Sequence, residues 1–316
     1  MKNKTKELFL ISSGIVLSLF IFMIFLELYC RFYVDDGMNY EFEMMKYNLK
    51  LKTYDTENNI IKNKKNKEAK IMGVNIETDS NGFRVFDRKK IKEKKILMIG
   101  DSMTFGFGSK KTFSEIIDNN AENYSVFNAG VGNTNTIMQV RNFLNFQSKL
   151  KPNVVILNFF INDLEKIKIK NFFLKNLYSI NFLNHKFMQV FLRLKKIDYV
   201  EFYKQSFEDK DFIEETFNSI QKLNEFCKEN NIKLFVHILP ELNNVQQYPF
   251  LNEEKIITDH LDLNKISYVR GISYMDNEKS SKLWVSFTDR HANEYAHSRI
   301  AEYLINFLKS KIDDFD

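Results

Sequence analysis

Apolar residues fall along this chain in three regimes. From Leu8 to Leu26 they run without a charge, LFLISSGIVLSLFIFMIFL. Residues 31–94 are polar, charged and poor in periodicity. From Lys95 onward, short apolar runs alternate with helical stretches. The runs KILMIG, YSVFN, NVVILNFF, IKLFVHIL and ISYV are continuously apolar or β-branched, as strands buried on both faces require. Between them, Ile137, Val140, Leu144 and Gln147 mark one amphipathic helix, and Ile213, Phe217, Ile220 and Cys227 another. Ala296, Ile300, Leu304, Leu308 and Ile312 form the stripe of a last one. This alternation predicts an α/β fold, a parallel five-stranded sheet with helices on both faces, whose chemistry gathers at the C-terminal strand ends.

The chain accordingly divides into a cytoplasmic tip and transmembrane helix (1–30), a connecting segment (31–94) and a main domain (95–316). Within the connecting segment, KEAKIMGVNIETDSNGFRV reads as a hairpin ending in the Asn81-Gly82 turn. Residues 164–212 interrupt the rhythm with a basic, aromatic stretch of helical spacing. They read as an inserted helical cap packed on the domain, with a lid over an acyl pocket or a membrane-touching surface as alternatives.

At about 1.5 Å per residue the first run approaches the roughly 30 Å of a bilayer core. A cleaved signal peptide has a shorter apolar region and a small-x-small site. Glu27, Leu28 and Tyr29 do not supply one, and Tyr29 before Cys30 does not suit lipidation. An uncleaved membrane anchor through residues 8–26 is expected. Lys2, Lys4 and Lys6 precede the span and only Arg31 and Lys46 follow closely, which favours a cytoplasmic N-terminus and an extracytoplasmic (periplasmic or cell-surface) body. The lysines from Lys50 onward count against that orientation.

Composition narrows the classes further. The 46 basic and 41 acidic residues leave a net charge of +5, and 44% hydrophobic residues exclude a disordered chain. Two cysteines exclude a disulfide scaffold or a Cys-rich zinc module. Abundant Phe and Tyr are read as core filling, not nucleic-acid binding. No His, Cys, Asp or Glu set has metal spacing, so no metal and no cofactor is expected. Lysines in 62–70 and 89–95 read as solvated faces, or as contacts to anionic headgroups.

Chemistry concentrates after the strands. Gly100-Asp101-Ser102 follows the first, a serine on a Gly-flanked turn. No Gly-Lys-Ser/Thr phosphate loop and no Gly-x-Ser-x-Gly elbow is present. Asn128-Ala129-Gly130-Val131-Gly132-Asn133-Thr134 follows the second strand, where backbone N–H groups can approach a ligand. Phe160-Ile161-Asn162-Asp163 follows the third, and Thr288-Asp289-Arg290-His291-Ala292-Asn293 precedes the final helix. Asp101 and Asp163 read as turn-forming hydrogen-bond partners. His237 reads as a core histidine, His297 as a packing residue, and His185 and His260 as surface residues.

These blocks, in this order, resemble the SGNH (GDSL-type) hydrolase superfamily over roughly residues 95–310. Asn81-Gly82-Phe83-Arg84 is similar to the corresponding stretch of its membrane-anchored bacterial members. The resemblance implies a three-layer flavodoxin-like SGNH fold and serine acyl chemistry without cofactor. In it Ser102 is the nucleophile, His291 the base and Asp289 its orienting carboxylate, with Gly132 and Asn162 as oxyanion donors. The chain departs from the pattern twice. Thr288 stands three residues before His291, where the family has Asp, so the role passes to Asp289 two before. The oxyanion glycine has a second register that would place Asn133 there. The expected activity is hydrolysis of acetyl or short acyl esters on an envelope glycan or lipid. An O-acyltransferase acting on a cell-surface polysaccharide and a non-catalytic glycan-binding module are the alternatives.

Overall fold

The structure, a computed structural model, describes residues 2–88, 90–167 and 172–315. Lys89 of the second lysine run and residues 168–171 of the expected cap lie outside them. The charge-free run folds within one helix, α1 (Lys2–Tyr29), which passes into a π-helical turn at Cys30–Val34. Its large apolar side chains stand exposed, Phe9 by 69% and Phe25 by 67%. Among the described residues this is the one helix long and apolar enough to cross a membrane.

The segment after it holds more structure than its weak periodicity predicts. Asn39 caps helix α2 (Tyr40–Lys50) by accepting from the Glu41 and Phe42 amides. Phe42, Met44, Met45 and Tyr47 are all buried, so α2 shows no single apolar stripe. Two antiparallel hairpins follow, β1 (Lys52–Asp55) with β2 (Ile60–Asn63), and β3 (Glu68–Ile71) with β4 (Val74–Glu77). The second of these is the hairpin expected within KEAKIMGVNIETDSNGFRV. The chain reverses at Met72-Gly73, where φ is 48° and 74°, as a two-residue hairpin turn demands. Asn81-Gly82 then ends the stretch as expected in a second reversal, the Gly82 amide donating to the Asp79 carbonyl at 3.0 Å and Asp79 Oδ1 accepting from the Asn81 and Phe83 amides, with Thr78 and Arg84 bridged antiparallel across it.

The main domain begins with β5 (Lys94–Gly100), α3 (Ser102–Phe105), α4 (Phe113–Asn120), β6 (Tyr124–Asn128), α5 (Thr136–Asn145) and β7 (Val154–Phe159). Helices α6 (Phe172–Asn176), α7 (Tyr178–Leu194) and α8 (Tyr199–Ser206) come next, within the cap stretch. The domain resumes with α9 (Lys210–Glu229), β8 (Lys233–Ile238), α10 (Leu251–Leu263), β9 (Ser267–Arg270), α11 (Ile272–Met275) and α12 (Glu294–Lys311).

The five strands from β5 to β9 pair in parallel in the order β6-β5-β7-β8-β9, a flavodoxin-like doubly wound sheet. Alternate residues enter two cores. Leu97, Ile99, Val155, Leu157 and Val236 pack against Val140 and Phe143 of α5 and Ile220 and Leu223 of α9. Ile96, Met98, Val126 and Ile156 pack against Ile117 of α4 and Ile300 and Leu304 of α12. Burial on both faces is why these strands read as unbroken apolar runs, each such side chain contributing about 1.5–3 kcal/mol.

Candidate active site

The site is assembled from the segments that leave the C-terminal ends of the strands. At the end of β5, a Cβ on Gly100 would stand 2.9 Å from the Asn158 carbonyl oxygen and collide with the Thr104 side chain. Only glycine lets the chain turn there into α3. Asp101 caps that helix, its Oδ1 accepting from the Met103 amide at 2.8 Å. Ser102 is thereby presented at the sheet edge, 5% exposed.

Ser102 Oγ lies 2.8 Å from His291 Nε2, and His291 Nδ1 lies 2.5 Å from Asp289 Oδ1. The same carboxylate oxygen accepts from the His291 amide at 3.0 Å, which locks the two-residue spacing into one turn. With Nδ1–H donated to Asp289, Nε2 is left to accept from the serine hydroxyl. Burial alone would depress the His291 pKa, but the adjoining Asp289 carboxylate outweighs it and holds the imidazole above its ordinary value. Phe107 and Tyr40 pack on the imidazole, with ring centroids 5.1 and 5.7 Å away.

The two expected oxyanion donors are near the serine, but neither is idle. A Cβ on Gly132 would stand 2.7 Å from Tyr47 Cε1 and 3.3 Å from Ser102 Cβ, so the glycine backbone is packed tightly between that ring and the nucleophile. Its N–H, however, donates to the Tyr47 hydroxyl at 3.0 Å, and its carbonyl accepts from Lys52 Nζ at 2.7 Å. The Tyr47 hydroxyl in turn donates to Asn63 Oδ1 at 2.8 Å, and Asn63 Nδ2 donates to the Gly130 carbonyl. In the resting site α2, β1 and β2 thus satisfy the glycine turn from outside the sheet. Asn133 is exposed, with φ at 59°, and lines a different hollow with Lys52 and Tyr54. Asn162 lines the serine cavity while its amide hydrogen-bonds to Asp101. Burial raises the Asp101 carboxyl, against the pull of the Met103 amide, His291 and that bond.

A cavity of about 250 Å³ opens over Ser102 and His291. Met103, Phe160, Tyr40 and Tyr203 supply its apolar wall, and Asn162, Glu241 and Arg290 its polar one. Tyr203 comes from α8 of the cap, and Tyr40 from the connecting segment. Glu241 follows β8, and burial pushes its carboxyl up to about 7. Arg290 lays its guanidinium 3.6 Å over the Trp284 ring. Sequence patterning does not single out Tyr40, Tyr47, Glu241 or Arg290. The Asn39 cap ahead of Glu41 and Glu43 would have marked α2, but nothing in the sequence places α2 against the strand ends.

The remaining residues take structural positions. Asp163 accepts from Thr136 Oγ1 and Gln139 Nε2. His237 is fully buried between Asn158 Oδ1 and the Tyr274 hydroxyl, and burial lowers it to about 3. His297 stacks on Phe113 and accepts that residue's amide. His185 pairs with Glu41, and His260 stacks on Phe217. Arg84 of the Asn-Gly-Phe-Arg stretch clamps the loop after α3 through the carbonyls of Phe105, Gly106 and Ser109. Cys30 and Cys227 are both buried and free. Among the described residues, no three His, Cys, Asp or Glu side chains are grouped to hold a metal ion.

Comparison with known proteins finds no matching family model and no matching curated protein. Among solved structures, the chain is similar to a lipase/acylhydrolase from Enterococcus faecalis at 12% identity and TM-score 0.46, covering 69% of this chain and 96% of that one. It is also similar to a catalytic variant of an acetylxylan esterase from Geobacillus stearothermophilus at 13% identity and TM-score 0.45, covering 69% and 95%. Identities this low transfer no residue roles, so the chemistry rests on the distances within this chain.

Proposed function

We propose that this chain is a serine esterase of the SGNH type, tethered to a membrane by residues 8–26, that removes short acyl groups from an envelope glycan or lipid. The observation that carries the reading is the relay Ser102 Oγ–His291 Nε2–Asp289, with links of 2.8 and 2.5 Å. His291 takes the serine proton as Ser102 attacks the ester carbonyl, and Asp289 stabilises the imidazolium that forms. The alkoxide of the acceptor leaves with the proton from His291. Water, deprotonated by the same imidazole, then releases the acid from the acyl-enzyme. The Ser102 amide, at the start of α3 without an intrahelical acceptor, and the Asn162 side chain face the developing oxyanion. The Gly132 amide joins them when the Tyr47 hydroxyl yields it.

The cavity supports a short acyl group. At about 250 Å³ it falls below the 300–1,000 Å³ common for drug-sized ligands, and Tyr40, Phe160 and Tyr203 wall it on several sides. The exposed apolar length of α1 supports an anchored chain, with the lysines before it on the cytoplasmic side and the catalytic domain outside. The test is hydrolysis of p-nitrophenyl acetate against octanoate by the full chain in detergent, beside Ser102→Ala. Ser102-dependent turnover favouring acetate is expected, together with covalent labelling by a fluorophosphonate. Folded protein with neither turnover nor labelling overturns the esterase reading.

A further inference from the structure

Helix α7 is built with its polar side inward. Asn181 Nδ2 reaches the Glu41 carbonyl, His185 pairs with the Glu41 carboxylate at 3.1 Å, and Gln189 joins His185 at 2.8 Å. The opposite side is apolar and open. Leu183, Phe187, Val190, Phe191 and Leu194 are between 43% and 79% exposed. At 3.6 residues per turn they fall within an arc of about 100°, with Lys186 and Arg193 along one border and Lys195 along the other. A soluble helix buries that stripe against its own domain. Here the domain takes the hydrogen-bonding side, and none of the described residues covers the apolar one.

The membrane anchor fixes where this helix begins. Glu27, at the end of α1, accepts from the Ser179 amide at 2.8 Å, the Ser179 hydroxyl at 2.7 Å and the Tyr178 amide at 3.2 Å. It therefore serves as the N-terminal carboxylate of α7, where the helix dipole favours negative charge. Arg31 pairs with Glu27 at 2.7 Å and lies 4.4 Å over the Tyr178 ring. One turn on, Tyr29, Phe32 and Tyr33 stand exposed, Tyr33 by 81%, where aromatic side chains belt a lipid–water boundary.

We propose that α7 lies in the membrane interface beside the anchor, with its Leu183–Leu194 stripe at the headgroup–acyl boundary and its basic borders among anionic headgroups. Two observations converge on a lipid surface as the occupant: the helix that carries the stripe starts on Glu27 and Arg31, beside the aromatic belt at the end of the anchor, and the stripe is bordered by cations. The inference rests on the anchored reading of residues 8–26.

Depth-dependent spin labelling of the full chain, in vesicles of mixed zwitterionic and anionic phospholipid, tests both separately. Labels go at Ser13→Cys in α1, Phe187→Cys in α7 and Lys222→Cys on the outer face of α9. Ser13 and Phe187 are exposed and Lys222 is at least partly so, whereas both native cysteines are buried. The expected result is high oxygen and low nickel-complex accessibility at positions 13 and 187. Position 187 should be the shallower, with nickel accessibility several-fold below that at position 222, and should move toward water when anionic lipid is omitted. A label at 187 as nickel-accessible as that at 222, with 13 still in the bilayer, overturns the α7 inference and leaves the anchor standing. A label at 187 shielded from both reagents means that protein covers the stripe, and overturns it too. A nickel-accessible label at 13 overturns the anchor and, with it, the placement of α7 beside that anchor.

Discussion

The hydroxyl of Tyr47 accepts the Gly132 N–H at 3.0 Å, beside the nucleophile. Tyr47 is fully buried on α2, and Lys52 holds the Gly132 carbonyl, so the glycine turn is pinned from the connecting segment. On the proposed chemistry, the resting site therefore holds the Gly132 donor in reserve. A single donor of this kind is typically worth about 10²–10³ in turnover.

Removing that hydroxyl should separate activity from stability. Tyr47→Phe frees Gly132 N–H but leaves Asn63 Oδ1 without its donor, at a cost of about 1–3 kcal/mol. The expected outcome is a lower Tm with a kcat on p-nitrophenyl acetate raised several-fold. A kcat that falls with KM unchanged would mean that Tyr47 itself supports the transition state.

The relay makes a second prediction. Asp289→Asn keeps the volume but removes the charge that sets the His291 tautomer, and should lower kcat by roughly ten-thousand-fold at neutral pH. Ser102→Ala should lose more, while far-UV dichroism and Tm of both stay near those of the parent chain. Retention of a tenth of the activity in either variant would remove that residue from the chemistry.

The acid limb of kcat/KM reports His291, which must be neutral to accept the serine proton. Asp289 raises its pKa above the usual 6.5, so activity should fall as pH drops through that higher value. Stability should run the other way. A raised pKa in the folded state gives stability that is fully present below the unfolded pKa and lost as pH rises through the folded one. A pH profile with its acid limb below 6.5 would contradict the ion pair.

Glu241 offers a check on burial. Its carboxyl is 3% exposed and moves from 4.5 to about 7, so the fold favours its protonated form. Ionising it between those values costs the native state about 3 kcal/mol, at 1.36 kcal/mol per unit. Glu241→Gln should therefore raise Tm at pH 8 and leave it nearly unchanged at pH 4.5. An equal change at both pH values would assign the effect to packing.

How much of the molecule is legible in the sequence depends on the patterns that burial leaves behind. Strands β5 to β9 are covered on both faces, so KILMIG and NVVILNFF carry an unmistakable signal and their order places Ser102, Asn162 and His291 at one edge. Helix α2 hides because Phe42 and Met45 pack with Cys30 and Tyr178 while Met44 and Tyr47 pack with Phe105 and Phe107, so two of its faces are buried. The four-residue strands β1 to β4 hide because so short a run shows little alternation. Met72-Gly73, the turn inside the β3–β4 hairpin, has no sequence mark as strong as Asn81-Gly82, which announces only the second reversal. Tyr40 and Tyr47 reach the site only through tertiary packing of α2, which no local pattern encodes.

The brevity of the chain between the π-turn and α2 has a geometric consequence. Tyr40, whose ring packs on His291, follows Val34 by six residues, a reach of at most about 22 Å even if fully extended. With the anchor spanning a bilayer, the nucleophile would work at a fixed height and sweep a thin slab parallel to the lipid plane. Esters inside that slab would be met by lateral diffusion in two dimensions. Those carried farther out on a polymer would be beyond its range, whatever their chemistry.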